Sequence, residues 1–400
     1  MIFAGDFAQL PPVHGGESAS LFSRKIGRYS TDSQSQQRAL GKVLWHMVTT
    51  VVLLRKNMRQ QGATADDLRM QRALENMRYG ACDDADIHWI TTRYLGSRYC
   101  HERLSDDRFR NVSIITARNI CKDSINDLGV ARFASESGQK LKHFFSDDSK
   151  SNGGKGGPRV PLNPLLQNIL WNQAPSMNDR KMPGRLSICI GMPVMIRANS
   201  ATELCITKGQ EGTVYGWTES TGNVGQPILN TLFVKLIDPP TNVNLPGLPE
   251  NVVPIVRTPA TIKCDLPYQV NGQSNYTISR SQVEVLPNFA MTDYASQGKS
   301  RNTNVVDLEY CKDHHGIYVA LSRGRTSDGT LIVRKGDLRK LKKKCSGALR
   351  QEYRELELLD DITMRAHSRE SEMQMPSQMT LRQPHAKKRT ALWAQRKDQG

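Results

Sequence analysis

The spacing of apolar and polar residues changes character several times along the chain. The apolar start at Ile2–Ala4 reads as a strand end running into a Pro/Gly turn. A polar loop, Ser30–Gln37, then precedes a helix near Arg38–Met47, and Val51–Leu54 is a short β-branched strand. Ala65, Leu68, Ala73, Leu74 and Met77 stand at helical spacing, predicting a helix over 65–79, and the pattern returns over 85–95. Asn111–Thr116 reads as a buried strand, with a helix following it through Leu128. This alternation predicts a mostly parallel sheet covered by helices. Ser146–Pro164, rich in Ser, Gly and Lys, predicts a flexible surface insertion. Between Leu186 and Val285 the period shortens: strands at 193–197, 212–217, 232–237, 252–255 and 276–279, punctuated by Gly and Pro, have the spacing of a small β-barrel. Its ends, near Gly191 and Val285, are expected to lie close together, as in any insertion that leaves and rejoins one sheet. The α/β pattern resumes at Val305–Leu308 and Thr330–Val333. An amphipathic helix over 348–364 and a disordered tail beyond 366 complete the prediction.

Charge narrows the partners. The 400 residues carry 55 Lys and Arg against 39 Asp and Glu, a net charge of +16, which favours a polyanion, nucleic acid before membrane. No apolar run approaches the ~20 residues of a membrane span. Eight cysteines are scattered without a Cys-x-x-Cys pair, the usage of reduced thiols in an intracellular protein. Cys311, His314 and His315 lack the second half of a metal site. The first residues lack the basic start, apolar core and cleavage site of a signal peptide.

Four short segments carry chemistry. In Gly5–Val13, Gly5 and Asp6 permit a tight turn at the carboxyl edge of a sheet, where ligands bind in open α/β folds. Gln9 both donates and accepts, which suits sensing a terminal phosphate or positioning water, and Pro11-Pro12 stiffens the loop. Leu54–Gln60 contains Arg59, and Val319–Arg323 contains Arg323 at an expected helix start. A guanidinium offers a forked, permanently charged donor set for a γ-phosphoryl group, although an arginine taken singly reads as a surface ion-pair residue. The fourth segment is Thr292–Ser300. Its Gly298-Lys299-Ser300 ending is not a phosphate-binding loop, since Asp293 stands where Gly-x-x-x-x-Gly-Lys-Ser/Thr needs glycine. Leu358–Asp361 reads as the solvated face of a helix. The basic run from Arg334 to Lys344 reads either as a phosphate track or as a solvated helix end. Tyr215 and Trp217 read as core residues, with base stacking as the other reading, and His385–Arg389 has the composition of a short nuclear address.

In this order and wording the four segments resemble the later motifs of the Pif–RecD branch of superfamily-one DNA helicases, over residues 1–365. The phrasing is most similar to Pif-type helicases of fungal genomes, many of them related to Helitron transposons. The sequence departs from that pattern at Ala295, where many members carry lysine, and at Ser300, where threonine is usual. The resemblance implies an α/β fold with a RecA-like motor domain of the P-loop NTPase type, an inserted small β-barrel module and the edge of a preceding RecA-like domain. The implied divisions are 1–50 for that edge, 51–185 and 288–345 for the second RecA-like domain (with a loop at 146–164), 186–287 for the insertion, 346–365 for a helix and 366–400 for the tail. It also implies a monomeric 5′-to-3′ DNA helicase, nuclear if eukaryotic and otherwise cytoplasmic, that uses ATP and Mg2+ on single-stranded and duplex DNA. Gln9, Arg59 and Arg323 would be catalytic. Gly5, Asp6, Gln297 and Gly298 would join them around the nucleotide, and Pro11, Pro12, Thr292, Ser296 and Lys299 would contact DNA. The family's phosphate-binding loop and magnesium ligand precede these motifs, so the sequence reads as a helicase lacking its front. The competing expectation is a non-catalytic, basic single-strand-binding or interaction protein derived from a helicase half.

Overall fold

The computed structural model describes residues 2–26, 32–150, 160–270 and 272–367. The Gly-rich centre of the 146–164 segment and the tail with His385–Arg389 lie outside them. In chain order the helices are α1 (Ser33–Met47), α2 (Ala65–Arg78), α3 (Asp84–Thr92), α4 (Asn119–Glu136), α5 (Pro164–Asn172), α6 (Asp293–Ser296), α7 (His314–Leu321) and α8 (Gly347–His367). The strands are β1 (Ile114–Thr116), β2 (Lys142–Phe145), β3 (Asp147–Lys150), β4 (Val160–Pro161), β5 (Arg185–Ile188), β6 (Pro193–Ile196), β7 (Glu211–Thr221), β8 (Pro227–Leu236), β9 (Val252–Val256), β10 (Thr258–Val270), β11 (Gln273–Gln282), β12 (Val285–Pro287), β13 (Ala290–Thr292), β14 (Asn304–Asp307) and β15 (Thr330–Arg334). Two compact units result. The first takes residues up to Thr92, Lys312–Gly329 and residues from Asp337 on; the second takes Arg93–Cys311 and Thr330–Gly336.

The second unit is built on a parallel sheet of order β13–β1–β14–β15, with Ile114 beside both Ala290 and Val305. Its strands are apolar on both faces, as a helix-covered parallel sheet requires. β14 is buried throughout. The carboxyl edge gathers Thr116, Thr292 and Asp307, and the Asp307 carboxylate accepts from Thr116 Oγ1 and from Arg334 Nε at 2.9 Å. The chain between β5 and β13 is antiparallel. One sheet runs β12–β6–β7–β8–β9 and ends at β12 and β9, over a core that includes Met192, Val194, Leu232 and Val253. Val285 pairs with Ile196, and Asn288 N–H donates to Pro193 O, so departure and return of this segment are adjacent.

A second sheet, β10–β11–β3–β4, corrects the expectation of a flexible loop for the described ends of 146–164, where 147–150 and 160–161 are strands. Residues 147–150 form a strand because Asp148, 7% exposed, receives a two-pronged bond from the buried Arg280 of β11 at 2.9 and 2.8 Å. Tyr215 departs from the core reading, being 48% exposed, while Trp217 packs edge-on against Phe144.

In the first unit α8 is the organising element. Val51–Leu54 is not a strand. Its backbone donates instead to α8 side chains, Val51 N–H to Thr363 Oγ1 and Leu53 N–H to Asp360 Oδ1. Asp360 is therefore buried and paired with Arg55, where a solvated face was expected for 358–361. Trp45 of α1 donates to Glu352 of the same helix at 2.8 Å.

Candidate functional site

The segment Leu54–Gln60 is shaped by Asn57. Its side-chain oxygen accepts the backbone N–H groups of Arg59 and Gln60 at 3.0 and 3.1 Å, a turn that asparagine makes because its amide mimics the peptide. Its amide nitrogen donates to Gln60 Oε1, fixing that side chain. Buried Gln60 then donates to the carbonyls of Ser322 and Gly324, and Arg59 Nη1 donates to Ser322 O at 3.0 Å. These carbonyls follow the last turn of α7, where helix geometry leaves acceptors unused.

Arg323 sits just past the end of α7, after its C-cap Ser322, and not at the helix start expected from sequence. It is 1% exposed. Nε donates to Val319 O at 2.9 Å and Nη2 to Ser322 Oγ at 2.7 Å, both neutral oxygens. Burial, reinforced by the Arg59 charge, pulls its pKa down to about 10, and burial lowers that of Arg59 as well. Two guanidiniums thus meet at Ser322 in surroundings that disfavour their charge. Such a place gains stability when an anion arrives.

Asp6 stands in the same unit and its charge is already answered. Arg78 Nη1 and Nη2 hold its carboxylate at 2.7 and 3.1 Å, and Nη1 also donates to the Tyr318 hydroxyl of α7. Asp6 turns the chain by accepting Ala8 N–H on Oδ1 and Gln9 N–H on its carbonyl. Gly5 contributes no special backbone conformation to this turn and has open space where a Cβ would be, so the carboxylate makes the turn. Ala8 is fully buried, and its carbonyl meets His315 Nδ1 at 2.9 Å. This anchors the segment on α7 and leaves Gln9 and Pro11 half-buried and Pro12 exposed. The structure therefore groups Asp6, Arg59 and Arg323 in one unit, with Gln9 on the anchored segment. Arg78 and Tyr318 are the members that sequence reasoning missed. An arginine in the last turn of a helix reads as compensation of the helix dipole, and Tyr318 is one apolar-looking position in a buried helix.

Thr292–Ser300 belongs to the second unit. Thr292 caps the one-turn α6 by accepting Ala295 N–H, and Ser296 is fully buried, donating to Asp293 O at 2.7 Å. Lys299 donates to Glu211 and to Gly209 O, so its charge is engaged within the unit. Neither Ser296 nor Lys299 is presented as an open DNA contact. Gln297 ends the helix, and Gly298 follows at φ +80°, a conformation that selects glycine.

The residues fit the phosphate end of a nucleotide: two arginines, with a glutamine on the adjoining segment. They offer little to a metal. Asp6 is held by Arg78, and no cluster of three or more His, Cys, Asp or Glu side chains gathers among the described residues.

No protein-family model matches the sequence. In structure the chain is similar to the Pif1 helicase of Candida albicans, with 16% identity, a TM-score of 0.54 and coverage of 88% of this chain and 67% of that one. It is also similar to Bacteroides Pif1 bound to ssDNA (15%, TM-score 0.51, covering 88% and 65%) and to Bacteroides Pif1 in complex with ADP-AlF3 and ssDNA (16%, TM-score 0.52, covering 88% and 66%). The fold is that of the Pif1 helicases. Mixed α/β structure around a parallel sheet, as expected from sequence, is part of that Pif1 fold. The chain spans about two thirds of the length of these Pif1 proteins. A sequence relative, uncharacterized protein 030L of Invertebrate iridescent virus 6, is 23% identical over 399 aligned residues, covering 90% of this chain and 68% of the viral protein.

Proposed function

We propose that this chain is part of an ATP-driven, Pif-type DNA helicase moving 5′ to 3′ on single strands, in which Arg59 and Arg323 stabilise charge on the γ-phosphoryl group and Gln9 senses it. The observation that carries this reading is Arg323: a buried guanidinium bonded only to neutral oxygens, sharing Ser322 with a second arginine. Hydrolysis spreads negative charge over the phosphoryl oxygens, and an arginine in that position contributes roughly 10³–10⁵-fold to the rate. The Pif1 structures bound to ADP-AlF3 and ssDNA support nucleotide and single strand as ligands of this fold.

Bound ATP and Mg2+ would supply the reacting phosphoryl group and charge neutralisation at its oxygens. Arg59, Arg323 and Gln9 would hold and polarise the terminal phosphate from one side. The 400 residues contain no Gly-x-x-x-x-Gly-Lys-Ser/Thr loop, so turnover requires one in addition to them. The same feature favours a second reading, a basic single-strand-binding protein without catalysis. Purified chain with oligo(dT) is expected to hydrolyse ATP negligibly. In-frame coding sequence upstream of Met1 that carries the loop, and restores DNA-stimulated hydrolysis sensitive to Arg323→Ala, supports the motor. Stop codons there favour the binding protein. DNA-stimulated turnover by the 400-residue chain itself, lost in Arg323→Ala, would overturn the requirement for an added loop.

A further inference from the structure

Within the second unit lies a pair of cations, one buried and one half-buried. Lys122, in the first turn of α4, is 6% exposed. With Asn119, Met195, Arg197, Thr292 and Ala295 it lines a small cavity that opens to solvent, and among the described residues no acidic one lines it. Lys122 Nζ contacts Asp123 at 2.9 Å, and Asp123 spends its other oxygen on Ser176 N–H. Arg197 follows β6, and its buried Nε has no hydrogen-bond partner. Burial lowers the pKa of both cations. Asp123 and Glu284 oppose the shift and Lys181 adds to it, so three cations face two carboxylates here. Glu284 is itself occupied by the Thr258 hydroxyl, and Lys181 donates to the carbonyls of Ser176 and Asn178.

A buried N–H without an acceptor is costly unless something fills its place, and two cations around a small opening with neutral donors suit one anionic oxygen group. Thr292 Oγ1 accepts from Ala295 N–H, which leaves its own proton to donate. Ala295 adds only a methyl to the wall, so the positive charge of the cavity comes from Lys122 and Arg197. We propose that this cavity binds one backbone phosphate of a single strand, with Lys122 and Arg197 as its ligands. The proposal rests on the DNA-binding reading above and adds to it two residues that lie outside its motif segments.

The test is fluorescence anisotropy of labelled oligo(dT) across a NaCl series, with folding of each protein checked by circular dichroism. Wild type is compared with Arg197→Gln and with the double variant Lys122→Met/Asp123→Asn, which leaves no unpaired carboxylate behind. Each variant is expected to bind several-fold more weakly at low salt. The slope of log affinity against log salt should be shallower by about 0.7 for each phosphate no longer neutralised. If wild type binds and both variants match its affinity and slope, the cavity does not hold the strand, while the DNA-binding reading stands. If wild type does not bind even at low salt, both fall. Calorimetry with inorganic phosphate separates the remaining source: phosphate bound by wild type and not by the variants, with oligonucleotide binding unchanged, makes the cavity a free-anion site and overturns its assignment to DNA.

Discussion

Asn57 sets the position of Arg59 by holding two successive backbone N–H groups on one oxygen. Asn57→Ala should therefore cost about 1 kcal/mol in urea denaturation, the usual worth of such local bonds, and should loosen Arg59 without removing it. Asn57→Asp keeps the acceptor but sets an oxygen against Gln60 Oε1, so it should recover only part of that loss. His314 gives a pH dependence. Burial, with His315 beside it, pulls its pKa from 6.5 down to about 4, against the pull of Asp313. The folded state thus favours the neutral ring, so its contribution to stability is full above pH about 6.5 and declines as pH falls toward about 4. Denaturation midpoints at pH 7 and pH 5 should differ by less in His314→Gln than in wild type. At this scale the sequence shows residue types well and partnerships poorly. Gln9, Arg59 and Arg323 could be chosen because their chemistry suits a phosphate within short motifs. Arg78 could not, because its role comes from Asp6, 72 residues away, and from Tyr318, 240 residues away.

Among the elements, β3 depends most plainly on a single interaction. Asp148 and Arg280 are both buried, and Arg280 also donates to the carbonyls of Met182 and Leu170, joining β3, β11 and α5. Removing one partner leaves the other charge buried and alone. Asp148→Ala or Arg280→Ala should each cost about 3–5 kcal/mol, and the double replacement by apolar residues much less, which a double-mutant cycle in denaturant can measure. Ser-Asp-Asp-Ser has the composition of a loop, so this strand is invisible until its partner is known. β10 escapes the sequence pattern for another reason. Pro259 and Pro267 argue against a strand, yet β10 lies at the edge of its sheet, where a missing backbone donor is tolerated. The helices are legible because α2, α3 and α8 bury regular stripes. The strand expected at 51–54 does not form because side chains of α8 take the place of a neighbouring strand.

For the whole molecule, charge predicts behaviour that the site alone does not. Beyond His367 the sequence holds seven basic and three acidic residues, so a chain ending there keeps a net charge of +12. It should retain oligo(dT) binding and most of its salt dependence in the same anisotropy assay; loss of binding would place the DNA-binding residues in the tail. The division of the chain into units bears on something different, its manufacture. Arg59 reaches Ser322 across 263 residues, and Ala8 reaches His315 across 307, while the second unit occupies most of the chain between. At about 5–20 residues per second a ribosome takes roughly 13–50 seconds to make that interval. The segment from Asp6 to Arg59 therefore emerges long before α7, the helix that receives it, and the two arginines meet only near the end of synthesis. Nascent chains stalled before Lys312 should be cut readily by protease within residues 1–92, and the same region should become resistant once Asp337 and the residues after it have left the ribosome.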